Sequence, residues 1–241
     1  MSYNHKHTSL LCFHDIFLVM SWFNSVSGSH LLDIEKKVIA NALEEKFGYF
    51  AVQLDFSEFD FLITSRITIR LSNEGKFENI KFLNDALPFD QDSIDLILCP
   101  HTLEKVSDYR SFLEGCYRAI IPNGYLVIIS FNPYSFAGLR SVLGFENLFP
   151  WNTNFVSLNH CQLMLKEVGF IIDEAKLFNY QPLFNDHKVS FISSFESVGD
   201  RWLPFLGNIY CIVAKKDVPG MTPLKPKWKT TKKARVATDK T

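Results

Sequence analysis

The stretch SIDLILCPHTLEKVSDYRSFLEGCYRAIIPNGYLVIIS, residues 93–130, decides the fold. Ser93 to Cys99 is an apolar run broken only by Asp95, as expected of a central strand in a parallel sheet covered on both faces. Val106, Tyr109, Phe112 or Leu113, Cys116 and Ile120 then recur at helical spacing, and Pro122, Asn123 and Gly124 end that helix. Tyr125 to Ser130 returns to a continuous apolar strand. A strand, a helix and a second strand in this order make a crossover unit, the building block of an α/β layer.

Outward from this unit the alternation continues. Leu31, Ile34, Val38, Ala42 and Leu43 form one stripe at helical spacing, which Gly48 stops. Phe50–Leu54, Ile67–Leu71 and a short Ile80–Leu83 read as strands. On the other side, Leu158, Cys161, Leu165 and Val168 mark a helix from Leu158 to Val168 that stops at Gly169. FIIDEAKLF (170–178) and NIYCIVAKK (208–216) follow as two strands without a clear long helix between them, which predicts an antiparallel edge. No internal repeat is visible.

With 241 residues, 47% of them hydrophobic and 15% aromatic, the chain can bury one large core, and it reads as one domain over residues 20–216. Residues 1–19 are an N-terminal extension, and Met20 is a candidate start because the globular pattern begins with SWFNSVSGSHLL. No apolar run reaches 18 residues; the nearest, Leu10 to Phe23, is interrupted by His14 and Asp15. Five cysteines without a Cys-x-x-Cys spacing fit reduced, buried thiols in a cytoplasmic protein, and seven histidines show no metal-ligand spacing. From Lys215 onward nine basic residues face two acidic ones, +7 against −8 for the rest of the chain. The tail, residues 217–241, is either a solvated, disordered end or an electrostatic arm for nucleic acid or an acidic protein, with Trp228 available to stack.

Residues 84–130, beginning NDALPFDQDSIDLILCPHTLEK and closing on IIPNGYLVIIS, resemble the central half of a class I S-adenosylmethionine-dependent methyltransferase of the type-11 methyltransferase domain. That pattern runs Asp-Ala, Leu-Pro-Phe, Ser-Phe-Asp, an apolar strand, His-x-Leu-Glu, and a helix ending in Pro-Gly-Gly. Ile94 stands here for the Phe and Asn123 for the first Gly. WFNSVSGSHLL, FNPYSFAGLR and GMTPLKPKW resemble a bacterial branch of the superfamily, so the likeness covers about Trp22 to Trp228. It implies a Rossmann-like, seven-stranded, mostly parallel sheet with an antiparallel edge and helices on both faces. It also implies S-adenosylmethionine as cofactor.

In such sheets the site lies beyond the carboxyl ends of the strands, at the switch in strand order. By the resemblance, Asp85 and Ala86 contact the adenine, and Gln53, Asp55, Ser57 and Pro100 join the cofactor contacts; read by itself, Asp85 is equally a turn or cap residue. His101 would face the transferred methyl, either as a general base or as a wall of the pocket, with Glu104 orienting it or solvated. Asn132, Tyr134 and Arg140 fall on the substrate side, where Arg140 either pairs with a substrate carboxylate or lies on a solvated helix face.

Two features depart from the pattern. Asp55, Ser57 and Phe59 occupy the places of three loop glycines, whose freedom lets backbone N–H groups approach a ligand. Where a ribose-binding acid is expected stand Arg70, Leu71, Ser72 and Asn73, with Glu74 a late candidate. The chain therefore reads as a methyltransferase for a small-molecule or RNA acceptor with an altered cofactor loop, or as an inactive methyltransferase-like partner domain. An Asn-Pro-Pro-Tyr sequence is missing after the central strand, which disfavours amino-methylating DNA and protein enzymes; a nicotinamide enzyme is disfavoured by the lack of a strand followed by Gly-x-Gly-x-x-Gly.

Overall fold

The computed structural model describes residues 22–56, 58–72, 78–79, 87–135, 138, 155–180 and 206–217. Its elements are α1 (Val26–Leu43), β1 (Phe50–Gln53), β2 (Ile69–Ser72), β3 (Glu78–Asn79), β4 (Ile94–Pro100), α2 (Tyr109–Ala119), β5 (Ile120–Phe131), α3 (Leu158–Val168), β6 (Phe170–Phe178) and β7 (Ile209–Lys216). They make one mixed sheet in the order β3-β2-β1-β4-β5-β7-β6. Six strands have four or more residues, and the two-residue β3 completes the row. β3 through β5 are parallel to one another, whereas β7 runs antiparallel to both β5 and β6.

The two faces of the sheet follow from the period of two along each strand. Ala51, Leu96, Leu98, Val127, Ile129 and Val213 point to the face covered by α1, where they meet Leu31, Ile39 and Leu43. Val52, Ile97, Cys99, Leu126, Ile128 and Ile212 point to the face covered by α2 and α3, where they meet Phe112, Leu113, Cys116, Cys161 and Leu165. Each such aliphatic side chain, once fully buried, contributes about 2 kcal/mol to folding. β4 supplies both layers, which explains its near-continuous apolar sequence.

Local chemistry sets the ends of the helices. The Ser25 side chain accepts from the Gly28 N–H and starts α1, five residues ahead of the apolar stripe that marks it in sequence. Asp108 accepts from the N–H groups of Arg110 and Ser111, so α2 begins at Tyr109, and Val106 packs from the preceding loop instead. α2 also stops earlier than its turn residues suggest. Ile120 is already extended and pairs with Ile94, and Pro122-Asn123-Gly124 form an irregularity inside β5, with Asn123 at φ 66°.

α3 and β6 fall where periodicity places them, and Gly169 caps α3 at φ 116°, a left-handed conformation that suits glycine. β2 starts two residues later than expected, and β3 lies at Glu78–Asn79; residues 80–83 are outside the described part. Four cysteines, Cys99, Cys116, Cys161 and Cys211, are buried and free of disulfides. Burial pushes the Cys161 and Cys211 thiols up to about 12, as for packing residues rather than nucleophiles. Cys12 and the tail from residue 218 lie outside the described residues. Among the described residues, no helix is long and apolar enough to cross a membrane.

Candidate functional site at the switch in strand order

β1 connects onward to β2 on one side, and β4 connects onward to β5 on the other. The crevice this leaves lies beyond the carboxyl ends of β1 and β4, where doubly wound sheets bind ligands. Two chain segments form its walls: residues 54–56 with 58–61 after β1, and residues 101–105 after β4. The Leu54 N–H donates to the Leu98 carbonyl at 2.9 Å and the Thr102 hydroxyl donates to the Leu54 carbonyl at 3.3 Å, which ties the walls together at their base.

The β1 wall contains no glycine yet turns as though it did. Asp55 and Phe56 take φ 60° and 50°, a left-handed region that costs a non-glycine residue roughly 1 kcal/mol or more. Gln53 holds this turn in place. Its Nε2 donates to the carbonyls of Asp55 (3.2 Å), Phe56 (3.1 Å) and Phe59 (2.8 Å), and its Oε1 accepts from the Phe61 N–H (3.1 Å). The side chain expected to touch a cofactor is thus the hub of its own loop. Phe56 is buried, packing edge-on to Phe23 at 5.2 Å and lying 5.3 Å from the His101 ring. Lys105, from the opposite wall, pairs with Asp55 at 3.2 Å and stands 5.0 Å above the Phe56 ring.

The β4 wall is built on charge. His101 follows Pro100, the buried last residue of β4, and takes φ 52°, its N–H donating to the Ile129 carbonyl at 2.8 Å. Its Nδ1 lies 3.2 Å from Glu104 Oε1 and its Nε2 lies 3.0 Å from Glu35 Oε1. Glu35, His101 and Glu104 are 0%, 1% and 6% exposed. Glu104 Oε1 also accepts from the Ser130 hydroxyl and the Phe131 N–H, each at 2.9 Å. Glu104 is therefore an orienting residue and not a solvated one. Burial alone pushes the imidazole down, but the Glu35 and Glu104 carboxylates outweigh it and raise the pKa to about 9. Burial likewise pushes the Glu104 carboxyl up, and His101 with the Phe131 N–H reverses this to below the usual range.

Of the other expected site residues, Asn132 is buried just past β5, and its side chain is spent on the frame. It donates to the Gly207 carbonyl at 2.9 Å and accepts from the Tyr134 N–H at 3.1 Å. Tyr134 is 68% exposed beside it. Ser57, Asp85, Ala86 and Arg140 lie outside the described residues, as do Asn73 and Glu74. Arg70, near the place of the missing ribose-binding acid, donates to Asp60 at 3.0 Å and to the Leu62 carbonyl. Among the described residues, no group of three or more His, Cys, Asp or Glu is arranged to hold a metal ion.

Sequence reasoning missed Glu35. Its signal was a carboxylate at the centre of an apolar stripe, four residues after Leu31 and four before Ile39, all three buried in α1. A buried charge requires a partner, and the partner is 66 residues away.

Residues 39–128 match the methyltransferase domain family. The uncharacterized protein YafS of Escherichia coli is 31% identical over 151 residues, which span 62% of this chain and 59% of YafS. The ubiquinone/menaquinone biosynthesis C-methyltransferase UbiE of Legionella pneumophila is 32% identical over 93 residues, 36% of this chain and 37% of UbiE. The chain thus spans less than two thirds of the curated relatives it matches. Among solved structures, a SAM-dependent methyltransferase from Thermotoga maritima, described as a possible histamine N-methyltransferase, superposes with TM-score 0.59 at 20% identity, covering 82% of this chain and 94% of that one. A methyltransferase from Mesorhizobium loti gives 0.53 at 15% identity, covering 74% and 96%. Residues 39–128 are therefore similar to the methyltransferase domain family, and the chain has the fold of solved S-adenosylmethionine-dependent methyltransferases.

Proposed function

We propose that the protein transfers a methyl group from S-adenosylmethionine to a small-molecule or RNA acceptor at the crevice between β1 and β4. The observation that carries this reading is the β1 turn, which keeps left-handed backbone at Asp55 and Phe56 without glycine. Left-handed φ at two consecutive non-glycine residues is unfavourable, and strain of this kind clusters at active sites and ligand clamps.

The residues fit the cofactor. Lys105, paired with Asp55 beside the turn, would suit a ligand carboxylate, and the one net negative charge that Glu35 and Glu104 leave around a His101 imidazolium would suit a sulfonium cation nearby. Gln53, Asp55 and Pro100 would line the cofactor from the strand ends, with Ser57, Asp85 and Ala86 completing the set. S-adenosylmethionine, when bound, supplies an already activated methyl, so the protein has mainly to align the acceptor and exclude water. Phe23, Phe56 and Phe131 provide the apolar surround, and Tyr134, with Arg140, would meet the acceptor. We further read residues 20–216 as the catalytic domain and the basic segment after it as an arm for an acidic partner.

One observation favours the second reading, an inactive binding domain. Gln53 bonds its own loop and Phe56 fills the crevice, so the turn has internal partners where a ligand would supply them. Thermal denaturation with and without S-adenosylmethionine separates the two. Stabilisation by several degrees at millimolar cofactor supports the enzyme, and an unchanged midpoint supports the binding domain.

A further inference from the structure

A neutral imidazole carries one N–H and can donate to one carboxylate; only the imidazolium can donate to two. His101 has a carboxylate oxygen at hydrogen-bond distance from each ring nitrogen, Glu35 from α1 on one side and Glu104 on the other. All three groups are buried, where an unpaired carboxylate is strongly disfavoured. The ring also packs against two tilted aromatic rings, Phe131 at 4.4 Å and Phe56 at 5.3 Å. Its backbone sits at φ 52°, so the side chain is carried into this position at a conformational cost.

We propose that Glu35 is a positioning residue that, with Glu104, holds His101 as a fixed imidazolium at the end of β4. The ring then presents charge and two donors to its own carboxylates and does not accept a proton from a ligand. Glu35 Oε2 and Glu104 Oε2 have no hydrogen-bond partner among the described residues, so the next proton the cluster gains goes to a carboxylate and not to the ring. The other titratable groups around it are Asp55 and Lys105 at the crevice, and Tyr109 of α2, Cys161 of α3 and Tyr210 of β7, all three of which feel the Glu104 charge. On the methyltransferase reading above, on which this last step rests, removal of an acceptor proton falls to a group other than His101.

The test is nitrogen-15 NMR of the histidine rings in the full chain, without cofactor. Both His101 nitrogens are expected at imidazolium shifts at pH 7, with a titration midpoint near 9. Glu35→Gln should lower that midpoint by a unit or more, and Glu35→Asp should restore most of it. A neutral His101 ring at pH 7, or a midpoint untouched by Glu35→Gln, would overturn the proposal. If Glu35→Gln fails to fold by circular dichroism, the wild-type shifts at pH 7 decide alone. Because the ring is read without cofactor, a negative result here is distinct from a failure to bind S-adenosylmethionine in the same sample.

Discussion

At the end of β1 the chain turns through Asp55 and Phe56, and at the end of β4 it turns through His101. All three are non-glycine residues with left-handed backbone, but the two turns are held by different forces. The β1 turn is held by neutral hydrogen bonds from one amide, Gln53, to four backbone groups within eight residues. The β4 turn is held by buried charges, Glu104 three residues further along the same segment and Glu35 from distant α1. Gly169, at φ 116° after α3, needs neither device. A backbone that glycine adopts freely can thus be imposed on other residues, provided side chains supply the compensating bonds, and a local hub and a long-range cluster should then fail in different ways.

Breaking the charged wall should have the largest effect. Glu104→Ala leaves His101, the Ser130 hydroxyl and the Phe131 N–H without their shared acceptor, and should cost about 3–5 kcal/mol in urea unfolding. A loss under about 1 kcal/mol would mean that the cluster is not formed in solution.

The same wall should show a pH dependence that the other lacks. The folded His101 pKa, about 9, lies above the unfolded value of about 6.5. Its contribution is therefore complete below about pH 6.5 and lost as pH rises through 9, a decline of order 3 kcal/mol at most. Glu104 is lowered, so its contribution is present above the ordinary carboxylate range and lost as pH falls through its folded value. Stability measured between pH 6.5 and 9 should fall, and His101→Gln should flatten the profile. An equal slope in the variant would assign the decline elsewhere.

Breaking the neutral wall should cost less. Gln53→Leu keeps the side-chain bulk but strips three carbonyls and the Phe61 N–H of their partner, for a loss of roughly 2 kcal/mol. Hydrogen exchange should quicken at the Phe61 amide while the amides of β4 and β5 stay protected, because the hub is local. Loss of protection across the sheet would contradict this. The smallest effect is expected at Asp55→Gly. Relief of the left-handed backbone and loss of the partly exposed Lys105 pair are each worth up to about 1 kcal/mol and oppose one another. A change beyond about 1 kcal/mol would show that one of the two dominates.

How much of this was legible depended on range. α3 and β6 could be placed to the residue, because Leu158, Cys161, Leu165 and Gly169 carry an uninterrupted helical period and stop. The ends of α1 and α2 shifted because their caps, Ser25 and Asp108, lie outside the apolar stripes that mark the helices. β2 was displaced because Ile67, apolar and buried, packs into the core from the loop just before the strand. The crevice itself was readable from the alternation of elements. Its contents were not, because Glu35 meets His101 across 66 residues and Gln53 closes its loop with an amide that composition does not distinguish from a solvated one. Asp85, Ala86, Ser57 and Arg140 remain expectations from sequence.

The central claim is that a turn without glycine still binds the methyl donor. Isothermal titration of the purified chain with S-adenosylmethionine, after any copurified ligand is removed, tests it most directly. The account predicts one site per chain, with affinity weakened tenfold or more by Asp55→Arg, which replaces the acid opposite Lys105 with a like charge. No heat at millimolar S-adenosylmethionine would contradict it.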